Sequence, residues 1–351
     1  PKDLEQETWH GYRLGVDAAQ AHLGADAVFS ITELESKLSG YVATADRLYY
    51  GFGRDHTFNE FIIRLWQSLL RSYSKRGAGP DAIADPGFLL HPQRRIKSEA
   101  ELALIRKATG LSVAAHQRAQ SFAKPGVYEF QVQAEIEHLF RLNGGEGPAY
   151  PSIVASGPNA CVLHYTENNR QLAVGDLLLI DAGCSYGYYN GDITRTFPIG
   201  GERNPEQQAI YDIVLAAQRQ AIAEVQSGKP FKNYHDTAVC VIVQGLMDLG
   251  LLVGDFEQII KEEKYKPFYM HRTGHWLGLD VHDTGIYNRE DLLEPNQLLT
   301  VEPGIYISPH IKLADDQPDV PAHWRGIGIR IEDDVLVTAT GNEVLTAALA
   351  K

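Results

Sequence analysis

The chain has 351 residues, more than a single hydrophobic core ordinarily serves, so two domains are expected. Its composition, 44% hydrophobic and 22% charged, is that of an ordinary soluble globular protein. A net charge of −13 with 32 Lys and Arg excludes the clustered basic surface that nucleic acid or an anionic membrane would require. No apolar run reaches the ~20 residues of a membrane-spanning helix, and no secretory-type apolar segment opens the sequence as it stands. The three cysteines, Cys161, Cys184 and Cys240, form an odd, sparse set in apolar contexts, which predicts reduced thiols and a cytoplasmic location.

The opening stretch "PKDLEQETWHGYRLG" has no initiator Met and reads as the inside of a helix-rich region, so the expectation is that it follows a cleavage or truncation. From Pro1 to about residue 76, β-like runs ("AVFSI", "RLYYGF") alternate with helical ones ("ITELESKL", "FNEFIIRLWQSLLRSY"), the pattern of a small α/β unit. Residues 75–95, "KRGAGPDAIADPGFLLHPQRR", concentrate Gly and Pro and read as a connector. Residues 1–95 are therefore assigned to a partial N-terminal α/β domain with its linker, and residues 96–351 to a second domain. Ser98 and Glu101 have capping-box spacing and open a long helix through "EAELALIRKATGLSVAAHQRA".

Beyond that helix the chain repeats itself weakly. In "AKPGVYEFQVQAEIEHLFRLNGG", Val132, Ile136, Leu139 and Phe140 share a helical face after a Lys-Pro turn, and "SGKPFKNYHDTAVCVIVQGLMDLG" follows Lys229-Pro230 in a similar way. Each is preceded by another predicted helix (99–121 and 205–226) and followed by a histidine-bearing segment. Two helix–helix–strand halves about a pseudo-two-fold would bring those histidines to a shared centre.

The segment "LLLIDAGCSYGYYNGDITRT", residues 177–196, reads as a hairpin with its turn centred on Tyr186-Gly187. That register sets Asp181 directly opposite Asp192. Like charges facing each other across strands cost about a few tenths to 1 kcal/mol. Beside the apolar run Leu177-Leu178-Leu179-Ile180 the penalty grows, because a carboxylate buried without a partner is costly. A cation is required to offset it.

Other segments supply further ligands. "FYMHRTGHWLGLDVHD" carries His271, His275 and His282, far denser than thirteen histidines spread over 351 residues would give. In "LLTVEPGIYI", Glu302 ends a strand before Pro303-Gly304, and in "GIGIRIEDDVLV" the side chains of Arg330 and Glu332 share one strand face. Singly, each has an ordinary structural role: a turn-capping Asp192 or Glu302, an exposed acidic strand end at Glu332, core histidines, a plain ion pair at Arg330. Together Asp181, Asp192, His275, Glu302 and Glu332 carry more negative charge than one divalent ion neutralises. Two ions about 3.5–4 Å apart would neutralise them and hold a bridging water as hydroxide, which predicts hydrolysis. Oxygen-dominated ligation makes Mn²⁺ the expected metal, with Co²⁺, Fe²⁺ and Zn²⁺ as alternatives.

The blocks "LHYTEN", "GDLLLIDAGCSYGYYNGDITRTFPI", "MHRTGHWLGLDVHD", "LTVEPGIYI" and "RGIGIRIEDDVLVT" resemble, in order, the signatures of the pita-bread metallopeptidases, and within them the Xaa-Pro aminopeptidase (aminopeptidase P) group. The likeness runs from about residue 95 to the C-terminus, and "ETWHGYRLGVDAA" is similar to part of that group's N-terminal domain. The resemblance implies an incomplete α/β N-terminal domain followed by an α+β pita-bread catalytic domain with a pseudo-two-fold repeat. It implies a dinuclear-metal aminopeptidase that hydrolyses the N-terminal Xaa-Pro bond by attack of a metal-bridging hydroxide, acting on peptides with proline at the second position.

By the same resemblance, Asp181 chelates one metal, Asp192 and Glu332 bridge both, and His275 and Glu302 complete the second site. Glu302 also serves as general base. His164 and His282 bind substrate and stabilise the tetrahedral intermediate, His271 lines the proline pocket, and Tyr306 and Arg330 support the site. A homo-oligomer, dimer or tetramer, is implied, with Trp9 either in the core or reaching a neighbouring subunit's site.

Two departures stand out: the N-terminal domain is shorter than the group's usual one, and Arg272 occupies a position where a small residue is common. The rival within the fold is prolidase, which cleaves only Xaa-Pro dipeptides. A methionine aminopeptidase would not need the preceding α/β domain, and metal-free creatinase-like relatives lack ligands that are all present here.

Overall fold

The computed structural model describes residues 3–284 and 288–351, apart from the side chains of residues 72–74 and 76. Pro1 and Lys2 of the opening stretch lie outside the described residues. The chain divides into two compact units, Pro1–Leu90 and His91–Lys351.

The first unit carries α1 (Leu4–His10), α2 (Gly15–Leu23), α3 (Leu34–Val42), β1 (Arg47–Tyr49), α4 (His56–Arg76) and β2 (Ala82–Ala84), and α5 (Gly87–Arg95) begins in it. Asp3 opens α1 by accepting hydrogen bonds from the amides of Glu5 and Gln6, two of the donors that a helix start leaves free. The long α4 buries Ile62, Leu65 and Leu69 at helical spacing. Strands β1 and β2 pair in parallel, Arg47 opposite Ala82.

Two expectations are corrected here. "AVFSI" forms no strand: Ser30 instead caps a short 3-10 turn over Ile31–Glu33, with the Glu33 carboxylate returning to the Ser30 amide. That local capping box satisfies polar groups which an unpaired strand would leave open. The Gly- and Pro-rich connector likewise contains structure, namely β2 and α5, with Pro92 inside the helix. Trp9 belongs to no core among the described residues, since 75% of it is exposed.

The second unit opens with α6 (Glu99–Phe122), where Ser98 and Glu101 form the expected capping box, and α7 (Glu129–Leu142) packs against it. Val132, Ile136 and Phe140 are fully buried, and Leu139 packs beside them. Below lie β3 (Gly147–Pro148), β4 (Ile153–Ser156), β5 (Leu177–Asp181), β6 (Cys184–Tyr186), β7 (Tyr189–Asn190) and β8 (Thr194–Pro198). They form two antiparallel sheets in the orders β4-β5-β8 and β3-β6-β7.

A second helix pair follows, α8 (Pro205–Glu224) and α9 (Asn233–Asp248), then α10 (Phe256–Lys261). It packs over β9 (Leu298–Val301), β10 (Gly304–Ile307), β11 (Ile327–Arg330), β12 (Asp333–Thr338) and β13 (Gly341–Val344), again all antiparallel. The largest apolar cluster joins Val214, Ala217, Ile242 and Val243 of these helices to Leu299, Val301, Ile305 and Ile329 of the strands. Each half is thus a helix pair over antiparallel strands, in the element order of the expected repeat.

The hairpin register differs from the expected one. Tyr186 pairs with Tyr189, so the turn is centred on Gly187-Tyr188, one residue later than predicted, and Asp181 faces Thr194 rather than Asp192. Both turn residues have positive φ, as a two-residue hairpin turn matching the strand twist demands. The non-glycine Tyr188 is held there by the Glu146 carboxylate, which accepts the amides of Gly187 at 3.1 Å and Tyr188 at 3.2 Å. That long-range partner is what local turn chemistry could not reveal.

Candidate metal centre

Strand pairing builds the acidic half of the site. Asp181 is the last residue of β5, and Asp192, two residues before its partner Thr194, is its diagonal neighbour on the same sheet face. Both are buried, at 9% and 4% exposure. The Tyr150 hydroxyl reaches Asp181 Oδ1 at 2.6 Å and also contacts Asp192 Oδ1. One phenolic proton cannot serve two carboxylates, so the pair is under-neutralised.

The second half supplies the rest. His275 Nδ1 lies 3.0 Å from the Trp276 carbonyl, to which it donates, and Nε2 faces Asp192 Oδ2 at 3.4 Å and Glu302 Oε1 at 3.6 Å. A backbone carbonyl on one ring nitrogen with the other turned to the ligand cavity is the arrangement typical of a metal-binding histidine. His275 is strapped to β9 by its amide to Thr300 Oγ1 and by the Thr300 amide to its carbonyl, at 3.1 and 2.9 Å.

Gly274 makes that close approach feasible, since a Cβ there would stand 1.9 Å from the Thr300 carbonyl oxygen. Gly274→Ala should therefore push His275 off β9. We expect at least a tenfold drop in metal affinity, the scale seen when groups orienting a ligand are disturbed, read by titration with Mn²⁺. Wild-type affinity in that variant would contradict the placement.

Glu302 lies just past β9, and Glu332 occupies the short link between β11 and β12. Arg330 and Glu332 were expected on one strand face. Instead the strand breaks between them, because β11 pairs with β10 whereas β12 pairs with β9. Thr194 rejoins them: its hydroxyl donates to Glu332 Oε2 at 2.7 Å and accepts from Arg330 Nε at 3.1 Å. Arg330 also donates to Asp181 Oδ2 at 2.6 Å and to the Tyr306 hydroxyl at 2.9 Å. With its oxygen occupied by Arg330, the Tyr306 hydroxyl donates to His271 Nε2 at 2.8 Å, and His271 Nδ1 donates to the Arg272 carbonyl at 2.8 Å.

The electrostatics call for a cation. Burial pushes the Glu302 carboxyl up to about 7 and Glu332 well above the ordinary range, while Asp181 is raised by burial against the pull of Arg330. Burial would lower His275, but the Asp192 and Glu302 carboxylates outweigh it and hold the imidazole up at about 9. Asp334, buried behind Asp192, accepts the Asp192 amide on Oδ2 at 3.2 Å, and its Oδ1 has no partner among the described residues. Among the described residues, Arg330 is the one permanent cation hydrogen-bonded to these carboxylates, and it serves Asp181 alone.

The donor set fits a divalent ion: Asp192, His275 and Glu332 offer ligand atoms that all lie within 4.8 Å of one another. Asp181 and Glu302 line the same cavity but stand outside that trio.

The cavity has a volume of about 1060 Å³, and His164, His271, Arg272 and His282 complete its wall. The rings of His275 and His282 lie 4.5 Å apart. Tyr306 is buried behind the wall rather than in it. Two contributors escaped the sequence reading, Tyr150 and Thr194. Thr194 carried a usable signal, its spacing of two from Asp192 on a predicted strand. Tyr150, in a loop more than thirty residues from Asp181, carried none.

The sequence matches the family model "Metallopeptidase family M24" over residues 103–339 and "Aminopeptidase P, N-terminal domain" over residues 1–49. The chain belongs to metallopeptidase family M24. Among its relatives, the Xaa-Pro aminopeptidase of Escherichia coli K12 is 41% identical over 353 residues, spanning 100% of this chain and 78% of that protein. The human Xaa-Pro aminopeptidase 3 is 33% identical over 356 residues, spanning 100% of this chain and 67% of that protein.

Proline aminopeptidase P II from Yersinia pestis superposes with a TM-score of 0.93 at 43% identity, covering 100% of this chain and 79% of that one. A Zn-substituted E. coli aminopeptidase P in complex with product has a TM-score of 0.93 at 41% identity, covering 100% of this chain and 78% of that one. The fold is therefore an aminopeptidase P N-terminal domain followed by the pita-bread catalytic domain. As an M24 metallopeptidase the chain carries a metal-binding site, and the Asp192, His275 and Glu332 cluster has the chemistry for it. No helix among the described residues is long and apolar enough to cross a membrane.

Proposed function

We propose that the chain is a metal-dependent aminopeptidase that hydrolyses the bond between an N-terminal residue and a proline in second position. The observation that carries this is the convergence of four carboxylates and the His275 imidazole in one cavity walled by His164, His271 and His282. Asp181, Asp192, His275, Glu302 and Glu332 would hold two divalent ions, of which Mn²⁺ suits the mostly oxygen ligands. Bound there, such ions would supply Lewis-acid polarisation of the scissile carbonyl and lower the pKa of water.

The chain's own groups complete the chemistry. Glu302, facing the cavity beside His275, accepts the proton of the attacking water and returns it to the proline nitrogen, without which that amine is a poor leaving group. His164 and His282, exposed at the cavity wall, are placed to hydrogen-bond the substrate carbonyl as negative charge develops on it. Both nitrogens of His271 are occupied, by Tyr306 and by the Arg272 carbonyl, so this ring offers carbon edges and faces, a surface suited to a proline ring. Burial, the largest influence, and Arg330 push His271 down to about 3 and keep it neutral at working pH. A tertiary amide before proline has no N–H, so polarising its carbonyl avoids any need to bind that proton.

The full-length likeness to Xaa-Pro aminopeptidases favours an aminopeptidase over a prolidase. Comparing Arg-Pro-Pro-type peptides with Xaa-Pro dipeptides tests this: release of the N-terminal residue from the longer peptides is expected, and cleavage of dipeptides alone would make the chain a prolidase. Elemental analysis should find about two transition-metal ions per chain, the number two-metal hydrolysis calls for.

The three free thiols are consistent with a cytoplasmic enzyme.

A further inference from the structure

His282 stands at the cavity wall on a segment with little regular structure, 4.5 Å ring to ring from His275, so something outside the cavity must hold it. The residue that follows, Asp283, is buried where His282 is exposed. Its carboxylate accepts Arg94 Nη2 on Oδ1 at 2.5 Å and Lys97 Nζ on Oδ2 at 3.4 Å, and Arg94 also reaches Asp280 at 2.8 Å. Lys97 is buried, at 1% exposure, and the mechanism above gives it no part.

The clamp is built from both sides. Lys97 directly precedes the capped start of α6, and its amide is tied to the Asn296 carbonyl at 2.9 Å. The Asp283 amide closes the loop onto the Trp276 carbonyl at 2.9 Å, and Asn190 holds the Gly278 and Leu279 carbonyls at 3.2 and 3.0 Å. Gly278 leaves the room the pair needs, since a Cβ there would lie 2.2 Å from Asp283 Oδ2 and 3.2 Å from Lys97 Cε.

We propose that Lys97 and Arg94 are positioning residues for His282, acting through the buried Asp283 carboxylate that they clamp. Two basic side chains hydrogen-bonded to one buried carboxylate pin the backbone directly after His282, and hence the arc through which its ring can swing. The inference rests on His282 being a substrate-contacting group, as proposed above.

A double-mutant cycle separates positioning from plain stability. On an Xaa-Pro tripeptide, Lys97→Met is expected to lower kcat by about tenfold to a hundredfold, the scale of a misplacement near 1 Å, with KM changing much less. Metal content should stay at the wild-type ratio. In the His282→Ala background, Lys97→Met should cost nothing further. Should Lys97→Met not fold, the isosteric Asp283→Asn carries the same cycle. Losses that multiply with that of His282→Ala, loss of metal, or unchanged kcat would each overturn the proposal. If His282→Ala is itself fully active, the role given to His282 fails as well. If His282→Ala is impaired while the clamp variants are not, the clamp fails alone.

Discussion

Asp192→Ala is expected to lose bound metal together with at least about a thousandfold in kcat/KM, the equivalent of some 4 kcal/mol of transition-state stabilisation. Asp192 faces His275 Nε2 and belongs, with Glu332, to the trio of closely placed ligand atoms. In the metal-free protein the same change relieves the repulsion that helps to raise the Glu332 and Glu302 carboxyls but also removes a carboxylate that holds up His275, so the readout is the response to metal rather than the basal Tm. Thermal shift reads the contrast: wild-type Tm should climb with added Mn²⁺ through binding to the folded state, whereas the variant's should not. A variant that keeps full activity, or one with an undiminished metal-dependent shift, would show that Asp192 is no ligand.

Arg195→Met should be the most destabilising change near the site that touches no proposed ligand side chain. Arg195 is 2% exposed and donates to the Asp333 carboxylate at 2.7 Å, to the Leu349 and Ala350 carbonyls at 3.1 Å each, and to the Thr194 carbonyl at 3.0 Å and that of Glu332. Breaking a buried ion pair from one side costs about 3–5 kcal/mol. Lys351, 2.6 Å from Asp333 on its other oxygen, should keep the loss near the lower end. At about 3 kcal/mol, a unit of this size should lose about 6–12 °C in Tm. Metal affinity should fall with it, since Arg195 holds the backbone at both Thr194 and Glu332. A Tm within about 2 °C of wild type would refute this account of the network.

The helices were legible because their signals are local. Ser98 with Glu101, and Val132, Ile136 and Phe140, declare a cap and a buried face by spacing alone. "AVFSI" misled for the complementary reason: a strand needs a partner, and Ser30 found a nearer one in its own capping turn. Asp181 and Asp192 line one cavity, though through another register than the expected one. The hairpin turn is decided by Glu146, which lies outside the hairpin and binds the turn amides. Trp9 shows the same limit, since no pattern within the chain says whether an aromatic side chain is covered.

By itself the sequence determined the residue types of the site and the family to which their spacing belongs, because ligand chemistry, strand alternation and helical period are properties of neighbours along the chain. Tertiary structure decided which of those candidate residues stand closest, that Tyr150 and Thr194 join them, and that Arg330 turns to Asp181 across 149 positions. A cavity is closed by packing between distant segments, and the field at its centre depends on every charge that packing buries, so neither is written in any one stretch of chain.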